Sequence, residues 1–145
     1  MYYKLSILLV ILYILAGCKP TRNLSRDIGQ QPPDNGRFEL VLINHLKIET
    51  ADGQEQVSVR FSREERQISG YAGCNRFFGS YAIKSDTLII GGLASTKMAC
   101  RDMQIEDRLL SSLNNSLFKL QLIDDTLILT NPSDTLTFRR SATEP

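Results

Sequence analysis

The residues of this chain best equipped for chemistry gather in two short blocks, Gly70-Tyr71-Ala72-Gly73-Cys74-Asn75-Arg76-Phe77-Phe78-Gly79-Ser80-Tyr81 and Thr96-Lys97-Met98-Ala99-Cys100. Two thiols, a guanidinium and a run of glycines could make a crosslink, a metal site, a thiol nucleophile or an anion-binding loop. The anion loop fails first, because no Gly-Lys-Ser or Gly-Lys-Thr follows the glycines and the strand, loop and helix order is absent. A tetrahedral zinc site wants more nitrogen and sulfur ligands than Cys74, Cys100 and the single histidine, His45, supply. No metal or other cofactor is expected. A cysteine nucleophile needs a base beside it, and His45 falls in an early polar turn with nothing to place it near a thiol. Asn75 suits a turn and Arg76 carries a planar fork suited to a carboxylate, so both are candidate contacts for a ligand or partner. The competing and favoured reading keeps them in the fold, Asn75 fixing the turn and Arg76 pairing with a local acid such as Asp102 or Glu106.

A third cysteine has a different setting. Cys18 closes Leu15-Ala16-Gly17-Cys18, which resembles the lipobox of bacterial lipoproteins, and it follows Lys4 and an apolar run from Leu5 to Leu15 broken only by Ser6. That run falls short of the about 20 residues a spanning helix needs, so a cleaved leader over residues 1–17 is expected rather than a transmembrane segment. The resemblance implies acyl chains on Cys18 and a chain moored in the bacterial cell envelope, on the outer membrane facing the periplasm. One chain alone anchors marginally, and several hold firmly. Once Cys18 is acylated, Cys74 and Cys100 remain as an even pair in an oxidising compartment, where such pairs are usually bonded. A disulfide is the favoured reading, over two buried reduced thiols or a metal or catalytic pair. Loss of Lys4 with the leader takes the 17 basic residues level with the 16 acidic ones. A neutral chain without a basic patch gives no support for nucleic acid.

The elements that must position these residues are mostly strands. Residues 18–36 are polar, with Pro20, Gln30-Gln31-Pro32-Pro33 and Asp34-Asn35-Gly36, and read as a flexible tether. A domain over 37–140 and a short tail over 141–145 follow. The 42% apolar composition suffices for one core. Phe38 to Ile43 and Leu46 to Thr50 read as a strand pair, and Val57, Val59 and Phe61 alternate with Ser58, Arg60 and Ser62. Ile68 to Ala72 and Ser80 to Ile83 follow the same pattern. Asp86, Asp125 and Asp134 each precede a Thr-Leu and further β-formers, marking three strand starts. One helix is expected where Ile105, Leu109, Leu110, Leu113 and Leu117 recur near helical spacing, with Asp102 before it and Asn114-Asn115 at its end. Phe118, Leu120 and Leu122 then return the chain to sheet.

Gly73-Cys74-Asn75-Arg76-Phe77 with Gly79 and Tyr81, followed by Thr96, Met98, Ala99 and Cys100, resembles the META domain of the HslJ heat-shock family over roughly Phe38 to Arg139. The family tends to carry a tryptophan where this chain has Phe38, and the chain has no Trp. The resemblance implies an α+β, mainly β fold: a strongly curved antiparallel sheet or partial barrel with one packed helix. It also implies an envelope protein linked to heat shock and antibiotic tolerance, with no secure catalytic activity. With no base beside a nucleophile, no metal ligand set and no cofactor loop, a monomeric, non-catalytic module is expected, binding an unidentified protein or small molecule. The alternatives are a lipoprotein inhibitor of an envelope-directed enzyme such as lysozyme, or a thiol-redox or hydrolytic enzyme of the envelope.

Overall fold

The computed structural model describes residues 33, 35–51 and 53–142. The leader, Cys18, most of the tether and the end of the tail lie outside the described residues. The strands are β1 (Gly36–Ile43), β2 (Leu46–Lys47), β3 (Ser58–Ser62), β4 (Gln67–Tyr71), β5 (Arg76–Lys84), β6 (Thr87–Ser95), β7 (Leu117–Ile123), β8 (Thr126–Thr130) and β9 (Thr135–Arg140), and helix α1 spans Gln104–Leu113. Every pairing is antiparallel and follows chain order from β3 to β9. β1 pairs with β3 along one edge and with β9 along the other, so the expected curved sheet closes fully, as an eight-stranded barrel with β2 a short extension beside β1. Closure leaves few sheet edges open to other chains.

Alternation in the sequence becomes inside and outside in the barrel. Phe38, Val59, Phe61, Ile68, Phe77, Leu88, Phe118, Leu127, Leu129, Leu136 and Phe138 all face the interior and are buried. A register shift between Leu40 and Leu42 against β9 lets both Leu40 and Ile43 point inward despite their odd spacing. Phe38, Phe61 and Tyr81 meet edge to face, with ring centroids 6.3 and 5.2 Å apart. These rings and branched chains fill the interior, so the barrel is a packed core and not a calyx.

The three aspartate-led strand starts are where the sequence places them, since β6, β8 and β9 begin at Thr87, Thr126 and Thr135. β5 is longer than expected. Arg76 to Gly79, which precede the strand expected over Ser80 to Ile83, pair with β4 from Tyr71 to Ile68, because their alternation of exposed and buried residues is strand-like despite the glycines. Gly70 serves this packing directly: a Cβ there would lie 2.0 Å from the Ser58 carbonyl oxygen and 2.9 Å from the Phe77 ring.

Helix α1 seals one end of the barrel. Leu109 and Leu113 are fully buried, as their spacing requires. Leu117 does not continue the helix. The Asn114 amide bonds Leu110 O, Asn115 takes a left-handed φ of 51°, and the chain turns into β7 with Leu117 exposed on the outer wall. At its start Asp102 accepts from the Gln104 amide at 3.0 Å, and Glu106 and Asp107 lie in the first turn, where the helix dipole favours negative charge. At its other end Ser112 Oγ donates to Asp134 Oδ2 at 2.9 Å, while Asn44 Nδ2 donates to Asp134 Oδ1 at 3.1 Å. Asp134 thus fastens the helix to the β1 and β9 seam. The domain reaches slightly past the expected bounds: Gly36 opens β1, and Ser141 bonds Arg37 O through its amide and Glu39 through its hydroxyl.

Candidate functional site

The β4–β5 turn, residues 72–75, lies at the helix end of the barrel and holds the densest polar constellation. Gly73 adopts a φ of 122°, a conformation costly for any residue with a Cβ. Cys74 and Cys100 form a disulfide, with Cα atoms 6.0 Å apart, tying the turn to the segment before α1. Asn75 is 1% exposed. Its Nδ2 donates to Glu106 Oε1 at 2.7 Å and to Met98 O at 3.1 Å, and its Oδ1 accepts from Thr96 Oγ at 2.7 Å and from the Met98 amide at 2.7 Å. An amide side chain has two donors and two acceptor positions, so every one is used inside the chain. Glu106, also buried, completes the arrangement: its Oε2 accepts from the Cys74 and Asn75 amides at 3.0 and 2.6 Å. Three N–H groups converge on one buried carboxylate, the strong class of hydrogen bond.

The sequence candidates therefore separate. Cys18 lies outside the described residues. Cys74, Cys100 and Asn75 come together in this lock, and Asn75 fixes the turn as the structural reading held. Arg76 does not join them: it pairs with an acid, as expected, but the acid is Glu55 and not Asp102 or Glu106. As the first residue of β5 it projects to the opposite, outer face, where its guanidinium meets Glu55 at 2.7 Å and lies 5.6 Å from the Tyr71 ring centroid. His45 is an exposed turn residue. Glu106, offered by the sequence as a partner for Arg76, instead holds Asn75 and the Cys74 amide. The signal for this was there: a carboxylate three positions before Leu109, on the stripe of the helix that must be buried.

Arg76 borders a groove of about 500 Å³ on the outer wall, lined by β1, β3, β4, β5 and the loop that carries Glu55. Strand register builds it. Arg37 pairs with Arg60, Arg60 with Ser69 and Ser69 with Phe78, forming one row across four strands. Ser58, Tyr71 and Arg76 form the row beside it. The small Ser69 leaves a trough between the arginines and Phe78, a residue 54% exposed. Glu55 divides its carboxylate between Arg76 and Arg37, the latter at 3.7 Å, and Arg37 also donates to Gln56 O at 3.4 Å. Arg37 Nε is buried and has no hydrogen-bond acceptor among the described residues. No three His, Cys, Asp or Glu side chains converge on a metal-sized position among the described residues.

The lock unites both unusual sequence blocks, Gly73 to Phe77 and Thr96 to Cys100, and the META domain matches residues 32–143, the stretch that forms the barrel. The chain belongs to the META domain family. Heat shock protein HslJ of Escherichia coli (strain K12) is 25% identical to this META-domain protein over 138 residues, covering 94% of each chain. An NMR structure of a protein from Burkholderia xenovorans is similar in fold, with a TM-score of 0.64 and 28% identity, over 87% of this chain and 99% of that one. A second NMR structure gives a TM-score of 0.60 at 28% identity, covering 72% of this META-domain chain and 88% of its own.

Proposed function

We propose that this META-domain protein is a lipid-anchored, heat-shock-related module of the bacterial cell envelope that protects by binding rather than by catalysis. One observation carries the reading: the most reactive-looking residues are spent on the fold. Asn75 satisfies all its hydrogen-bonding capacity within the chain, and Cys74 and Cys100 are joined. Arg76, by contrast, faces solvent, its side chain 66% exposed, beside a groove. The anchor rests on the lipobox at Cys18, and the stress role on the similarity to Heat shock protein HslJ.

The test is genetic and biochemical. Cells grown with labelled palmitate should label the wild-type chain and not the Cys18→Ser variant, and labelled protein should fractionate with the outer membrane. Deletion should sensitise cells to heat or envelope-active drugs. Wild type should complement, and Cys18→Ser and Arg76→Ala should complement poorly. Full complementation by both variants would refute the anchored binding module. Insulin-disulfide reduction by the purified chain would refute its non-catalytic character.

A further inference from the structure

We infer that the outer groove is a receptor for a small organic carboxylate bearing an aromatic group, with Glu55 as its built-in stand-in. The inference rests on the binding-module reading and names the ligand chemistry of that same site. Glu55 already demonstrates the recognition. Its carboxylate bridges the guanidinium groups of Arg37 and Arg76, and two guanidinium groups carry more N–H donors than one carboxylate can use. The buried Arg37 Nε, without an acceptor among the described residues, is a donor that Glu55 leaves unserved. A second carboxylate has both charge and hydrogen-bonding reason to enter.

The rest of the ligand follows from the strand register. The row from Arg37 through Arg60 and Ser69 to Phe78 crosses four neighbouring strands, about 14 Å at the usual strand spacing. It is basic at one end and aromatic at the other, with a small hydroxyl residue between. Tyr71 beside it already carries the Arg76 guanidinium near its ring, so the wall offers both a cation and a π surface. A free inorganic anion would satisfy the arginines and leave Phe78 bare. A neutral aromatic would cover Phe78 and leave Arg37 Nε without an acceptor. An aryl carboxylate does both. Glu55 sits on a loop and not on a barrel strand, and its side chain is one-third exposed, so it can swing aside without disturbing the core.

The experiment is a titration of the full chain in neutral detergent with N-acetyl-L-phenylalanine, followed by calorimetry and by amide chemical shifts. Its amide, acetate and inorganic phosphate are the comparison probes. The acid should bind saturably, shift the amides of Ser69, Tyr71 and Phe78, and bind at least tenfold more tightly than the amide or acetate. Glu55→Gln, which removes the competing charge and keeps the shape, should tighten binding at least fivefold. Arg76→Ala should weaken it at least tenfold while the chain still unfolds cooperatively. Equal binding of acid and amide, weaker binding in Glu55→Gln, or shifts lying outside the groove would overturn the inference. Displacement by equimolar phosphate would overturn the carboxylate assignment. These readouts do not depend on a stress phenotype, so the failure of this inference and the failure of the envelope reading are separately visible.

Discussion

Glu106→Gln is the most searching perturbation of this barrel, because it changes one atom and turns one acceptor into a donor. In the native lock Glu106 Oε2 takes the Cys74 and Asn75 amides and Oε1 takes Asn75 Nδ2. A glutamine that keeps its oxygen toward the two backbone amides loses the charge assistance of both bonds, roughly 1 kcal/mol each. Its new NH2 group then faces Asn75 Nδ2, donor against donor, which costs about 1–3 kcal/mol for a buried site. Asn75 cannot turn over to help, since its oxygen already accepts from Thr96 and Met98. The expected loss is about 4 kcal/mol, and at about 4–8 °C per kcal/mol for a domain of this size the melting temperature should fall by roughly 15–30 °C. Asn75→Asp should be comparably damaging, because it sets an acceptor against Met98 O and Glu106 Oε1. The two changes together repair one contact, because the introduced glutamine can donate to the introduced aspartate. The double variant should therefore be more stable than the sum of the singles by about 1–3 kcal/mol. Urea and thermal unfolding of the oxidised chain, followed by circular dichroism, measures all four corners of the cycle. Strict additivity, or a Glu106→Gln loss under about 1 kcal/mol, would show that the carboxylate is not what organises the turn.

Four further outcomes are expected. Replacing Cys74 and Cys100 together by Ala should cost about 3.5 kcal/mol in the chain-entropy account of a loop with a sequence separation of 26, and unfolding with and without reductant measures it. Leu109→Asp should abolish cooperative unfolding, since Leu109 is fully buried, contributes roughly 1.5–3 kcal/mol, and would be replaced by a charge with no partner; a near-native melt would show that the helix face is misplaced. Arg76→Ala, by contrast, should change stability by no more than about 1 kcal/mol, as expected of an exposed ion pair. Burial pushes the pKa of the Tyr81 phenol up, partly offset by the charge of Arg63. The neutral phenol is the form the fold favours, so its contribution is complete below the unfolded value of about 10 and declines as pH rises above it. In an ultraviolet titration Tyr81 should be the difference between wild type and Tyr81→Phe, appearing above the ordinary tyrosine range; a normal titration would remove the effect.

Much of the barrel was legible because period-two alternation has one physical meaning once a face is buried. Val59 and Phe61, Leu127 and Leu129, and Leu136 and Phe138 each declare an inward side, and three aspartates declare the turns that precede their strands. The helix was legible through Leu109 and Leu113. Its last turn was not, because Leu117 keeps the helical spacing while Asn115 breaks the helix by conformation. The start of β5 was left outside the expected strand for a related reason. Gly79 weakens the local strand signal, and the pairing that makes Arg76 to Gly79 a strand comes from β4.

By itself the sequence determined which strand and helix residues must be inside, since this follows from side-chain chemistry and local period. Tertiary structure alone decided the division between Asn75 and Arg76. They are neighbours in the chain, yet strand alternation sends one to the buried lock under α1 and the other to an open groove. It also decided that Glu106 and Glu55, distant in sequence and alike in chemistry, do opposite jobs. One is buried and engaged by two backbone amides and the Asn75 side-chain amide, and the other is shared between two arginines at the surface. A carboxylate's role depends on which donors the fold brings to it, and those donors arrive from strands far away along the chain.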